Sequence, residues 1–311
     1  MIHAICLNPT IDRTYYINGY YPGNQYKGLT PHICPGGKGI NVAKVCALMG
    51  TPVTLYGFVG KENSKQLLDA LSQTNITLEL LSVPGYTRTS INIVDNHNHR
   101  ETELMEIGPY VDPEASRQLL ERLQTRLAPG HLVICSGIST PGVPEDFYVQ
   151  ISKVCQKAQA KCLLDTNGQN LKDSITGHFF MVKPNHQELC ELFNIDPTYN
   201  VETLRALAGK LMSYTEWVLA SMGDKGGLLV GKDECYLAQV PEVPVKSAIG
   251  CGDSSVAGFA IAIQQGASPE DALRLALACG TANAMTEGAG VLKKEDAEQL
   301  IEKITVMKLF K

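Results

Sequence analysis

Several classes of function are argued against by what the 311-residue sequence lacks. Basic residues are in the minority, 27 Lys and Arg against 32 Asp and Glu, for a formal net charge of −5. A broad nucleic-acid footprint needs a basic face, so this balance argues against a nucleic-acid partner while leaving room for a local pocket that takes an anionic metabolite. No hydrophobic run approaches the roughly 20 residues that cross a bilayer; the longest lies near Val256 to Ile263. The opening Met1-Ile-His-Ala-Ile-Cys-Leu7 has no basic start, long apolar region or small-residue cleavage site, unlike a signal peptide. The expectation is a cytoplasmic protein with no membrane partner. Ten cysteines are scattered from Cys6 to Cys279 without a C-x-x-C pair. Several sit in apolar runs, as in His131-Leu-Val-Ile-Cys135, which reads as buried reduced thiols rather than a disulfide framework. The Walker A pattern G-x-x-x-x-G-K-[ST] and the dinucleotide fingerprint G-x-G-x-x-G are also missing. No repeat, low-complexity linker or charge block marks a domain boundary.

What is present suits a substantial core, with 44% hydrophobic residues. Short β-branched runs alternate with helical patterns, the rhythm of an α/β fold around a mostly parallel sheet. Strands are predicted over Ala4–Leu7, Val53–Val59, Leu132–Cys135, Cys162–Asp165, Phe179–Val182 and Trp217–Ala220. Helices are predicted over Asn41–Met49, Ser64–Gln73, Pro113–Leu127, Pro144–Ala158 and Val201–Met212, with Pro113 and Pro144 at helix starts. Two stretches, Thr14–Ile33 and Arg88–Met105, lack a helical period and read as extra antiparallel strands projecting from the main sheet. The last third, from Gly252, is helix-rich.

Several motifs carry chemistry. In Ala248-Ile-Gly-Cys-Gly-Asp253 two glycines precede an aspartate that opens an apolar helix. Free amides and the helix dipole there make an anion site, with Asp253 beside it to accept a hydroxyl proton; the alternative is a plain turn with Asp253 as helix cap. Pro35-Gly-Gly-Lys-Gly-Ile-Asn41 permits close backbone approach to a polar ligand, or is an ordinary β–α turn. In Lys183-Pro-Asn-His-Gln-Glu188 the spacing sets Asn185 and Glu188 on one helical face. They suit Mg²⁺ held through water, or form a capping box. Ser221-Met-Gly-Asp-Lys-Gly226 is a turn after a strand that passes a nucleotide or closes a hairpin. Asp12 ends the first strand region, where α/β ligand crevices lie, and Arg88 and Lys27 offer cations for a phosphate.

In this order the motifs Leu7-Asn-Pro-Thr-Ile-Asp12, Gly36-Gly-Lys-Gly-Ile-Asn-Val-Ala43, Thr87-Arg88, Lys183-Pro-Asn-x-x-Glu188, Ser221-x-Gly-x-x-Gly226 and Gly250-x-Gly-Asp253 resemble the phosphofructokinase-B branch of the ribokinase superfamily. The resemblance covers essentially the whole chain. It implies a three-layer α/β/α sandwich, one kinase domain over residues 1–311, with a small β-sheet lid from about 12–34 and 86–107. It further implies ATP with Mg²⁺, and a ketohexose monophosphate as acceptor, of the tagatose 6-phosphate or fructose 1-phosphate kind. Carried over, Asp253 is the base, and the amides of Gly250, Cys251 and Gly252 hold the anion. Asp12, Gly36, Gly37 and Asn41 hold sugar hydroxyls, and Arg88, with Lys38 and Lys27, faces the substrate's phosphate. Asn185 and Glu188 organise Mg²⁺, and Lys183, Asn185, Ser221, Gly223, Gly226 and Asn283 line the nucleotide side. A homodimer through the lid is the implied protein partner. Two departures stand out: Cys251 replaces the usual Ala or Ser, and Thr102–Gly108 lacks an asparagine common in these sugar-phosphate kinases. A dinucleotide-dependent oxidoreductase is disfavoured by the missing fingerprint, and a non-catalytic sugar-phosphate sensor by the presence of Asp253.

Overall fold

A computed structural model describes residues 1–98 and 100–309. The chain opens with β1 (Ile2–Cys6), β2 (Thr10–Ile17) and β3 (His32–Gly36), then α1 (Lys38–Leu48), β4 (Val53–Gly60), α2 (Ser64–Ser72) and β5 (Ile76–Val83). Next come β6 (Arg88–Asp95), β7 (Arg100–Met105), α3 (Pro113–Arg126), β8 (Leu132–Ser136), α4 (Phe147–Lys157) and β9 (Lys161–Asp165). The middle holds α5 (Gly168–Ser174), β10 (Phe179–Val182), α6 (His186–Glu191), α7 (Val201–Gly209) and β11 (Thr215–Ser221). The rest is β12 (Gly227–Gly231), β13 (Cys235–Gln239), α8 (Cys251–Gln264), α9 (Pro269–Ala284), α10 (Lys294–Ile301) and β14 (Thr305–Leu309).

Ten strands form the main sheet in the order β14-β13-β12-β11-β10-β9-β8-β1-β4-β5. The seven from β11 to β5 run parallel, and β12 to β14 are added antiparallel. Strand residues alternate between faces, so β1 sends Ile2, Ala4 and Cys6 to one core and Ile5 and Leu7 to another. The first core is roofed by α1, α2, α8, α9 and α10, and the second by α3, α4 and α5. A third cluster under α6 and α7 continues the second layer. This is the expected α/β/α sandwich, and burial on both faces explains why its strands read as nearly continuous apolar runs.

The remaining four strands make a small sheet, β3-β2-β6-β7. β2 pairs with β6 in parallel over Thr10–Ile17 and Arg88–Asp95, while the outer pairs are antiparallel. The expectation of wholly antiparallel strands is therefore corrected. β2 follows β1, and β6 follows β5, off the same end of a parallel sheet, so the two leave it in one direction. The predicted strand over Thr14–Ile33 also resolves into β2, an irregular stretch over 18–31, and β3. Asp95 anchors that stretch by accepting hydrogen bonds from the amides of Gly19 and Tyr20 at 2.9 and 3.0 Å. The expected range 86–107 spans His99, which lies outside the described residues.

Pro113 occupies the first turn of α3 behind the cap Asp112, as its missing N–H predicts. Pro144 does not start α4; it makes a preceding turn, with the Phe147 amide on its carbonyl at 3.0 Å. Strands β5, β12, β13 and β14 were not anticipated.

Candidate active site

The chain order reverses at β1: β4 and β5 lie to one side, while β8 returns on the other. Ligands in open α/β sheets bind at such a switch point, outside the carboxyl ends of the strands. Most of the candidate residues gather there.

Helix α8 starts abruptly. Gly250 is its cap in the left-handed region (φ 82°), a conformation that favours glycine. A Cβ there would also meet the Gly290 amide nitrogen at 2.6 Å. Asp253 is therefore not the cap but the third residue of the helix, and no side chain caps this end. The Cys251 amide lies 3.5 Å from the Ala248 carbonyl, and the Ser254 amide bonds to Gly250 at 2.9 Å. Among the described residues the amides of Gly252 and Asp253 find no backbone acceptor, which leaves an anion site of N–H groups at the positive end of a 14-residue helix.

Asp253 is 4% exposed. Its Oδ2 accepts from Asn41 Nδ2 at 2.8 Å, and its Oδ1 lies 3.3 Å from Lys38 Nζ. Burial raises its pKa; Lys38 opposes that, nearby Asp165 reinforces it, and Asn41 opposes it again. Lys38 was expected beside the substrate's phosphate. It is instead the first residue of α1, its ammonium between Asp253 and Asp165 Oδ2 at 3.4 Å. Asp165 also meets Lys183 Nζ through Oδ1 at 3.1 Å and accepts from Ser136 Oγ at 3.1 Å. Burial pushes the Asp165 carboxyl up, but Lys183 and Lys38 outweigh it and hold the group below its ordinary range. Lys183 thus belongs to this buried ion-pair chain. Its Nζ would lie 3.3 Å from a Cβ at Gly252.

The opposite wall is the small sheet. Alternate residues of β2 and β6 share one face with Glu103, the register partner of Asn92 on β7, and Asp12, Thr14, Ser90, Asn92 and Glu103 line a cavity of about 650 Å³ together with Lys44 of α1. Asp12 is pushed up to about 6 by burial, with Thr10, Lys44 and Arg88 pulling the other way. Gly36 is the register partner of Thr10, and the Asp12 side chain lies over it: a Cβ there would be 1.9 Å from Asp12 Oδ2. Gly37, the cap of α1 at φ 106°, lets the chain pass Cys6 and Pro9 closely. Asn41 Oδ1 is buried without a hydrogen-bond partner among the described residues, a spare acceptor beside Asp253. Arg88 donates from Nε and Nη2 to the Asn8 carbonyl at 3.4 and 3.2 Å. Lys27 lies on the exposed irregular stretch, away from the residues lining the cavity.

On the other side, Asn185 caps α6 in a complete capping box: its Oδ1 accepts from the Glu188 amide and Glu188 Oε2 from the Asn185 amide, both at 2.8 Å. The Asn185 oxygen thus serves the helix as a cap, the alternative that the spacing of this motif offered. Glu188 keeps Oε1 without a hydrogen bond among the described residues, and one carboxylate oxygen with water suits Mg²⁺, which usually keeps several waters and the phosphates as ligands. Asn185 and Ser221 pair as a β-bridge, and the 3₁₀ turn Gly223–Lys225 follows. Gly226 is held at φ 91° against the Ala238 carbonyl. This turn joins β11 to β12 as an antiparallel hairpin. Asn283 is fully buried: Oδ1 accepts from Ser254 Oγ and the Val291 amide, and Nδ2 donates to the Ile249 carbonyl. It braces the loop before α8. Three residues of the cleft were not anticipated: Asp165, Ser136 and Lys44. The available signal for Asp165 was its place at the end of a strand already recognised.

Residues 6–296 match the profile described as "pfkB family carbohydrate kinase". The chain belongs to the pfkB family. It is accordingly a phosphotransferase acting on a sugar hydroxyl. It is 31% identical over 310 residues to a 1-phosphofructokinase of Bacillus subtilis, covering 99% of this chain and all of the relative. Phosphofructokinase-2 from Escherichia coli, in complex with fructose-6-phosphate, superposes with a TM-score of 0.90 at 25% identity, over 97% of this chain and 98% of the other. A ribokinase of Arabidopsis thaliana, 19% identical over 97% of this chain and 98% of its own, shares the fold at a TM-score of 0.78. Carbohydrate kinases of this family take ATP as donor, usually with Mg²⁺, and the free amides of α8 and the spare Glu188 oxygen fit that pair.

Proposed function

We propose that this pfkB kinase transfers the γ-phosphoryl group of ATP to a primary hydroxyl of a ketohexose monophosphate, giving a 1,6-bisphosphate. The observation that carries this reading is Asp253, buried beside unsatisfied amides at a helix start and hydrogen-bonded to Asn41 of α1, the helix whose Lys44 lines the cavity with Asp12.

In this reading Asp253 takes the hydroxyl proton late in the transfer. The amides at the start of α8, with Lys38 and Lys183, hold the developing charge. Asp12, Asn41 and the backbone at Gly36 and Gly37 orient the sugar, and Arg88 turns from the Asn8 carbonyl toward the phosphate already on it. Lys183, Ser221, Gly223 and Gly226 flank the nucleotide. When bound, Mg²⁺ neutralises charge on the donor phosphates, with Glu188 its nearest carboxylate. The small sheet acts as the lid of a single kinase domain. Its opposite face carries Tyr15, Ile91, Ile93 and Leu104, the alternate register to the cavity-lining residues, and a second copy of the chain is the partner this apolar face suits.

Likeness to a 1-phosphofructokinase supports fructose 1-phosphate as acceptor at its 6-hydroxyl; tagatose 6-phosphate, phosphorylated at its 1-hydroxyl, is the second reading, carried by Gly280-Thr-Ala-Asn-Ala-Met285. Coupled ADP release across fructose 1-phosphate, tagatose 6-phosphate, fructose 6-phosphate and the free sugars tests it. The highest kcat/KM is expected on one of the first two; a free sugar as best substrate would overturn the reading.

A further inference from the structure

We infer that Asp165 is a positioning residue for phosphoryl transfer, holding the ammonium groups of Lys38 and Lys183 at the start of α8, one against Asp253 and the other against Gly252. The inference rests on the kinase reading above and adds to it a residue that itself touches no substrate.

Asp165 is 2% exposed at the carboxyl end of β9, beneath the cleft. Its two oxygens are divided: Oδ1 takes Lys183, and Oδ2 takes Lys38 and the Ser136 hydroxyl. The two lysines come from separate elements, the first residue of α1 and the loop after β10. Among the described residues Asp165 is the only carboxylate in ion-pair contact with Lys183. Lys38 meets one other, Asp253, at nearly the same distance, 3.3 Å against 3.4 Å. Asp165 therefore competes with Asp253 for Lys38. Without its charge Lys38 is left with Asp253 alone and closes on the group that must accept the proton. Lys183, 4% exposed, would be a buried cation with no counter-charge, a costly state that drives it to neutralise or swing out. The Lys38 side chain is 35% exposed, so an ammonium with three donors keeps one side open to the cleft. A phosphoryl group in transit spreads charge over its oxygens, and cations already in place stabilise it without rearrangement.

The test uses wild type, Asp165→Asn, Lys38→Gln and the double variant, at a temperature where circular dichroism shows each folded. Asp165→Asn is expected to lower kcat about a hundredfold, the scale of a misplaced catalytic group, with KM for sugar phosphate and ATP within about threefold. The double variant should lose less than the product of the two single losses. Ammonium signals of Lys38 and Lys183 in ¹⁵N-lysine NMR of the ligand-free enzyme, slow to exchange in wild type, should disappear in Asp165→Asn. An unchanged kcat, losses that multiply, or unchanged ammonium signals would each overturn the inference. Should Asp165→Asn not fold, Ser136→Ala loosens the same carboxylate and should lower kcat about fivefold, as for one hydrogen bond; no change overturns the idea equally. A wild type that turns over none of the sugar phosphates would sink the kinase reading instead, and the NMR arm would still judge the ion pairs.

Discussion

Gly36→Ala isolates the contact between the small sheet and the substrate. Gly36 ends β3 with an ordinary negative φ, so alanine brings no backbone strain. The added methyl has one obstacle. Its carbon would lie 1.9 Å from Asp12 Oδ2, 2.4 Å from Cγ and 2.7 Å from Oδ1. Restoring van der Waals contact moves the carboxylate by about 1.5 Å, beyond the reach of a hydroxyl it had been bonding. A hydrogen bond to a charged group contributes about 1.5–3 kcal/mol, so kcat/KM for the sugar phosphate should fall about ten- to a hundredfold. The assay is coupled ADP release with ATP saturating, beside a thermal melt. Gly209→Ala is the control, because the space beside it is open and its φ is ordinary. If Gly36→Ala folds normally and keeps kcat/KM within threefold of wild type, Asp12 does not bind the sugar.

Asp253→Asn should lower kcat by roughly 10²–10⁴, the scale of a general base, with ATP affinity by calorimetry largely kept; near-normal turnover removes Asp253 from the mechanism. Glu188→Gln keeps an oxygen for the capping box but loses the charge, so the Mg²⁺ needed for half-maximal rate should rise while Tm holds. Glu188→Ala should in addition lose about 1 kcal/mol of stability, and Mg²⁺ dependence unmoved in both variants leaves only the cap. Arg88→Ala should cost about ten- to a hundredfold in kcat/KM on the phosphorylated ketose and little on a free sugar; equal losses on both would assign Arg88 to bracing Asn8. Asp12→Asn tests pH linkage. With the folded pKa raised to about 6 from 3.8, the favourable contribution of this carboxyl is full below pH 4 and lost as pH rises through 6. The variant's stability advantage over wild type, from denaturant unfolding, should therefore grow between pH 4 and 7, toward about 2–3 kcal/mol, and a pH-independent difference would refute it.

The layered fold was legible because burial on both faces writes long apolar strands into the sequence, and its helices carry clear periods. The edge was not: β12 and β13 are short and joined by a turn, with Gly227 and Gly231 bounding β12, and the five-residue β14 returns only after three helices, so no strong alternation marks them. The parallel pairing of β2 with β6 depends on where β1 and β5 end in space, which no local pattern records. Motif spacing brought Asp253, Asn41, Asp12 and Gly36 into one cleft. It did not reveal that Asn283 and Asn185 hydrogen-bond to backbone of the chain, because an asparagine so bound and one facing a ligand have the same sequence signature. Lys38 was misplaced for a similar reason: a lysine among glycines looks free until the acids that flank it, Asp165 and Asp253, are brought there by other strands.

Three aspartates of the cleft, Asp12, Asp165 and Asp253, show how one fold sets like groups to different tasks. Asp253 is buried and Asp12 half-buried, and desolvation raises the pKa of each. A carboxylate so placed is a stronger base than one in water, which suits proton acceptance at Asp253 and hydroxyl binding at Asp12. Asp165 is as buried as Asp253, yet two lysines and a serine keep it ionised. It cannot serve as a base under ordinary conditions, since its charge is committed to the ammonium groups. Raised carboxylates reduce stability at neutral pH, whereas Asp165 ties α1, β9 and the loop after β10 together. The stabilising ion pairs therefore lie directly beneath the strained acids, and rigidity is supplied where the reacting groups need fixed positions.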